Sequence, residues 1–160
     1  MTRPLPPFAI ILGIAGLLPF VAGSLGALSL SSDGSTRSLL ALVAYGATIL
    51  AFLGGVHWGF ALDDGGVASE RVQRMRFGLG VVPSLVGWAA MLVTFIGLPT
   101  TGLLVLTTGF IATTVVEAQA ARRGLMPQRY MWLRWGLSVV VVVCLVSVCL
   151  VRAFGGRVVL

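Results

Sequence analysis

The sequence predicts an all-α integral membrane protein: a compact bundle of five transmembrane helices forming one domain over residues 1–160, with a cytoplasmic N-terminus and a periplasmic C-terminus. Three observations carry this. Of 160 residues, 58% are hydrophobic and only 10% charged, a balance that suits lipid rather than water. The eleven basic residues, all arginine, and the five acids (Asp33, Asp63, Asp64, Glu70 and Glu117) fall almost entirely between long apolar runs. Those runs are each about 20 residues long, the helix length that crosses a hydrocarbon core of roughly 30 Å. The same composition excludes a disordered chain, a collagen or coiled-coil rod and a disulfide scaffold. The net charge of +6 is split into short clusters beside apolar spans. That pattern sets membrane topology rather than a phosphate footprint, so the expected surroundings are membrane lipids and no nucleic acid.

The first span runs from about Phe8 to Leu28 and is broken by the polar stretch Leu30 to Arg37 (LSSDGSTR). Arg3 ahead of it and Ala22-Gly23-Ser24 within it resemble a signal peptide, but the run is long, its positive end is weak and Pro19 interrupts it, so a retained helix is expected. The second span, about Ser38 to Leu62, stops at Asp63-Asp64-Gly65-Gly66. A polar connection with Glu70, Arg71, Arg74 and Arg76 leads to the third, about Phe77 to Leu98, which Pro99 ends. The fourth covers about Thr101 to Ala121 and is closed by Arg122-Arg123-Gly124 and Pro127; the fifth covers about Tyr130 to Val151. The valines from Val139 to Val143 would favour a strand in water, but an uncharged span must satisfy its backbone internally and is read as helix. No span alternates apolar and polar residues as a membrane barrel requires. Arg3, Arg71, Arg74, Arg76, Arg122, Arg123, Arg129 and Arg134 lie on one side, and Arg37, Arg152 and Arg157 on the other. Positive loops stay inside, and this asymmetry sets the orientation. Five spans do not divide into the two equal halves of an inverted-repeat transporter.

Lipid removes the hydrophobic drive between helices, so small residues should mark the packing faces. In the second span Ala47, Ala51, Gly55 and Gly59 recur every four residues and are expected to form one flat strip for packing inside the monomer, with a homodimer through Gly55 and Gly59 as the alternative. Gly80, Ser84 and Gly87 are the matching small residues of the third. Trp58, Tyr130, Trp132 and Trp135 lie near the cytoplasmic ends of their spans, where amphipathic rings anchor at headgroup level. Trp88 lies about 16 Å along the third helix, near the midplane, where its N–H requires a partner. With Tyr45 and Pro83 it is a candidate cavity lining, and a satisfied core aromatic is the plainer reading.

Ionisable groups within spans are costly and tend to be functional. Three stand out. Glu117 lies about 24 Å down the fourth helix from Thr101, close to the cytoplasmic boundary. His57 is near the same boundary at the end of the second span, and Arg134 is one turn into the fifth. They are expected to form one polar layer, with Arg76, Asp63 and Asp64 at its rim. Its plain role is to staple helices; its sharper role is a proton-accepting or headgroup-binding site. By helical phase His57 faces about 160 to 200° away from Gly55 and Gly59, on a face shared with Gly46, Leu50 and Leu53. One histidine builds neither a zinc site nor a bis-histidine haem, and Cys144 and Cys149, about 140° apart on one helix, cannot pair with each other. No nucleophile elbow, phosphate loop or paired buried carboxylates occur, so neither catalysis nor a metal or other cofactor is expected.

The stretch Tyr45 to Phe60 (YGATILAFLGGVHWGF), with Gly13 to Pro19 (GIAGLLP), Val82 to Trp88 (VPSLVGW) and Pro127 to Ser138 (PQRYMWLRWGLS), resembles the signature of an uncharacterised family of small five-span proteins of bacterial inner membranes that has a mitochondrial inner-membrane relative. The resemblance implies that Tyr45, Gly54, Gly55, His57, Trp58, Gly59, Pro83, Trp88, Tyr130, Leu133 and Arg134 fall on characteristic positions. At Arg129 the family pattern often has an aromatic residue. The resemblance implies fold and location and no mechanism.

Two functions from different classes are therefore expected of this chain. The first is a non-enzymatic accessory, assembly or stabilising subunit of a respiratory or other energy-transducing complex in the bacterial inner membrane. The alternative is a small carrier or binding protein for a lipophilic or protonatable ligand such as a lipid, quinone or porphyrin, held between the second, third and fifth spans.

Overall fold

The structure, a computed structural model, describes residues 6–29, 32–62, 70–122 and 128–155. Six α-helices follow one another: α1 (Pro7–Ala15), α2 (Leu18–Ser29), α3 (Ser32–Leu62), α4 (Glu70–Phe95), α5 (Pro99–Arg122) and α6 (Gln128–Phe154). Among the described residues five spans are long and apolar enough to cross a membrane: Pro7–Ser29, Asp33–Gly59, Glu70–Phe95, Pro99–Arg122 and Met131–Phe154.

Proline makes α1 and α2 two helices within one span. Pro19 has no N–H to give the carbonyl four residues back. The chain tightens there, Leu17 N–H bonding Ile14 O at 3.0 Å before Val21 N–H to Leu17 O, also 3.0 Å, restores the regular ladder. At this break the Tyr45 hydroxyl of α3 donates to Gly16 O at 2.9 Å, and its ring meets Phe20 edge to face. Tyr45→Phe should therefore cost about 0.5–1.5 kcal/mol. A detergent thermal melt unchanged by the substitution would show that the bond contributes nothing.

Three helix limits differ from expectation, each for a local reason. α3 begins at Ser32 rather than Ser38, so the polar stretch expected as a break is helical from Ser32 on, with Asp33 in the first turn, where an acid is favourable. α4 begins at Glu70 rather than Phe77, because its charged first turns are helical and carry the Glu70 to Arg74 ion pair at 2.6 Å. An acid at a helix start and an i,i+4 pair both favour that extension. α4 is ended by Gly97 rather than Pro99: Gly97 has φ of +92°, Leu98 N–H reaches Val93 O and Gly97 N–H reaches Thr94 O, both at 3.1 Å. This is a Schellman closure. Pro99 instead opens α5, where a missing N–H is harmless.

The buried residues of α4, Arg76, Gly80, Pro83, Gly87, Ala90 and Thr94, recur at alternating spacings of four and three, the seven-residue rhythm of nearly aligned helices. Most are small, so α3 comes close. A Cβ on Gly54 would run into the Gly80 carbonyl, and one on Gly87 would lie 2.9 Å from Ala47 O. Trp58 covers Gly80 and donates its indole N–H to Phe77 O at 3.1 Å.

The expected strip on α3 is therefore only partly a packing face of the monomer. Ala47 is buried, whereas Ala51, Gly55 and Gly59 are exposed, and a Cβ on Gly55 or Gly59 would meet nothing within 4 Å. Residues four apart drift about 40° per step on a straight helix, so the strip turns about 120° from Ala47 to Gly59 and leaves the interface. The face of Gly46, Leu50, Leu53 and His57 is the buried one. Ser84 is only half-buried, bonding Val81 O at 2.7 Å, while Gly80 and Gly87 pack as expected. The apolar core, with Phe20, Leu42, Leu103, Phe110 and Leu145 essentially inaccessible, fills the half of the bundle where α3 and α5 begin and α6 ends.

Candidate functional site

At the other end of the bundle the same core positions turn polar. On α5 the buried series Leu103, Leu106, Phe110 and Thr113 continues to Glu117. On α3 Leu50 and Leu53 lead to His57, and on α6 Arg134 stands between buried Met131 and Ser138. Each side chain thus occupies the next inward position of its own helix. Their relative exposures are 0% for Glu117, 4% for His57 and 6% for Arg134.

The three meet at the carboxylate. Arg134 Nε lies 2.8 Å from Glu117 Oε2, and His57 Nε2 lies 3.8 Å from Oε1. This contact is a buried ion pair. Nε, Nη2 and both carboxylate oxygens make no hydrogen bond among the described residues. The other arm of the guanidinium is bonded: Nη1 donates to Ser138 Oγ at 2.6 Å. Ser138 Oγ in turn lies 3.0 Å from Thr114 Oγ1, whose hydroxyl also faces Phe110 O at 2.8 Å. Arg76 of α4 is buried at the same end, within electrostatic range of His57. A lone charge here would be prohibitive, and the pairing of Glu117 with Arg134 is what makes the layer tolerable. Among the described residues no group of three His, Cys, Asp or Glu side chains could hold a metal ion.

His57 also forms the floor of a lateral crevice of about 80 Å³ between α4 and α5, walled by Leu79, Val82, Pro83, Val86 and Val116. That crevice is not the cavity expected from Tyr45, Pro83 and Trp88, which the structure separates. Only Pro83 lines it; Tyr45 is tied to Gly16, and Trp88 is 64% exposed on the outer surface of α4. Depth along the helix is no guide to direction, and Trp88 follows buried Gly87 by one residue, a turn of about 100°. Trp58, Trp132 and Trp135 are exposed at the end of α3 and the start of α6, and Trp58 also packs between α3 and α4. The side chain of Tyr130, and Asp63 and Asp64, lie outside the described residues. Ser138 and Thr114 join the site beyond the residues expected from sequence. Ser138 was legible as the residue one turn after Arg134, whereas nothing in sequence marks Thr114 as its neighbour.

These helices and their buried polar layer define a multi-pass helical membrane protein. The chain belongs to the family described as "Protein of unknown function (DUF3429)", which residues 5–150 match, in agreement with the resemblance carried by the Tyr45 to Phe60 motif. It is similar to Transmembrane protein 69 of Xenopus tropicalis, 41% identical over 87 residues that make up 54% of this chain and 33% of that protein. The Mus musculus protein of the same name is 34% identical over 87 residues, 54% of this chain and 34% of that one. The matched stretch thus spans about a third of the length of these relatives. No solved structure matches the chain.

Proposed function

We propose that the protein is a non-enzymatic accessory, assembly or stabilising subunit of a larger energy-transducing membrane complex, and that it receives a partner's transmembrane helix on the outer face of α3. The observation that carries this is the open small-residue surface of Thr48, Ala51, Gly55 and Gly59, all exposed. Close backbone approach at small residues is a route to helix association in lipid, and the exposed Phe52 ring on the same face offers the partner a large apolar contact beside them. The arginine asymmetry supports an N-terminus in the cytoplasm, and the family resemblance supports placement in a bacterial inner membrane. The buried Glu117 and Arg134 pair supports a rigid monomer that docks as a unit. Capture of a quinone or porphyrin at His57 is not favoured, since about 80 Å³ is far below the 300–1,000 Å³ of ordinary ligand pockets.

Replacing Gly55 and Gly59 together by Leu should abolish co-purification of partner subunits after mild detergent extraction, while the monomer melts no lower than the wild type, because the Cβ added at each position enters open space and leucine is the better helix former. Recovery of the wild type as a lone monomer at every detergent concentration would refute the proposal, as would unchanged co-purification of the double variant. A species containing only this chain would assign the same face to a homodimer.

A further inference from the structure

A larger hollow than the His57 crevice lies on a different face. Between α5 and α6 a groove of about 490 Å³ is walled by Ile111, Val115, Val139, Val142 and Val143, a volume ordinary for a bound small molecule. From Ile111 to Arg122 it follows eleven residues of α5, about 16 Å at the helical rise, which is close to half of a hydrocarbon core of roughly 30 Å. The groove therefore runs the depth of one leaflet. Its outer end is marked by Gln119, Arg122 and Trp135, and a second hollow of about 200 Å³ beside Met131 and Trp132 shares Ala118, Arg122 and Trp135 with it. A cation and amphipathic rings at that level are what a phospholipid headgroup meets.

We propose that this groove holds one anionic phospholipid of the leaflet at the arginine-rich end of the bundle. An acyl chain lies along the valine walls, and the phosphate sits on the exposed Arg122 guanidinium. The charge offered to the ligand is that of Arg122, because the neighbouring Arg134 is buried against Glu117. The groove floor is already satisfied, its Thr114 and Ser138 hydroxyls being bonded within the Arg134 chain, so the interior asks for an apolar tail. A transmembrane helix fits worse. Helices approach closely over Gly, Ala and Ser, whereas these walls are β-branched ridges flanking a hollow that a flexible chain can fill. The site is independent of the α3 surface.

The test is native mass spectrometry of the full chain extracted in mild detergent and offered equal amounts of phosphatidylglycerol and phosphatidylcholine. One retained lipid is expected, with phosphatidylglycerol preferred by about fivefold, the worth of one interfacial arginine. Arg122→Gln should bring the two lipids level. Ala118→Trp, or Val139→Trp should the first not fold, should reduce retention of both. Equal retention of the two lipids by the wild type overturns the proposal. So does a preference that survives Arg122→Gln, or retention that survives filling of the groove in a variant with a wild-type melt. Capture of another protein in place of lipid by Val139→Cys cross-linking would assign the groove to a partner helix and equally overturn it.

Discussion

Glu117→Gln and Arg134→Leu should each lower the unfolding midpoint of the detergent-solubilised protein by roughly 6 to 20 °C. The figure follows from about 3–5 kcal/mol for breaking a buried ion pair on one side and roughly 2–4 °C per kcal/mol for a chain of this size. The loss is large because the surviving charge is stranded: Glu117 is fully inaccessible, and His57 Nε2 stands 3.8 Å from its Oε1, beyond hydrogen-bond reach. Arg134→Lys should not rescue, because an ammonium cannot hold the places of both Nε against Glu117 Oε2 and Nη1 against Ser138 Oγ. Combining Glu117→Leu with Arg134→Met should recover most of the stability, since removing both charges also removes the cost of burying them. A double variant that simply sums the two single losses would show the residues to be energetically uncoupled. The same double variant separates the two roles of the layer. If Glu117 and Arg134 only staple helices, it keeps its partners in co-purification; if they bind a proton or ligand needed for assembly, it folds and loses them.

Depth was the legible coordinate of this site and direction around each helix was not. His57, Glu117 and Arg134 are few, and each lies a countable rise from a span end, so their common level follows from sequence alone. Which face of a span looks inward does not. In water a buried face is more apolar than an exposed one, but here Leu85, Phe52 and Trp88 face outward while Gly80, Thr107 and Glu117 face in, so periodicity of hydrophobicity carries no sign. The phase of α3 illustrates this. Phase alone sets His57 opposite Gly55 and Gly59, as the structure has it, but it does not say that the strip leaves the interface after Ala47, because a row of small residues suits a partner helix as well as a neighbour in the same chain. Loop chemistry is more legible than loop roles: a proline after a span suggests a stop, whereas here Gly97 terminates α4 and Pro99 begins α5.

The neighbouring glycines of α3 should respond to the same substitution with opposite signs. Gly54→Ala is expected to destabilise by about 1–3 kcal/mol, the usual range for overpacking, and by more with a larger side chain, because the added Cβ would drive into the Gly80 carbonyl. A backbone oxygen has no rotamer to yield, so relief requires α3 and α4 to separate. That separation would loosen the indole of Trp58 from Gly80 and from Phe77 O, the contacts that close the interface one turn further on. Gly55→Ala adds its methyl group to open space and should stabilise by up to about 1 kcal/mol, through helix propensity alone. Thermal melts of the two single variants in one detergent test the whole arrangement, since they share composition, depth and helix and differ only by about 100° of rotation. If Gly54→Ala melts with the wild type, or Gly55→Ala melts well below it, α3 is turned differently from the structure, and the inward placement of His57 three residues on fails with it.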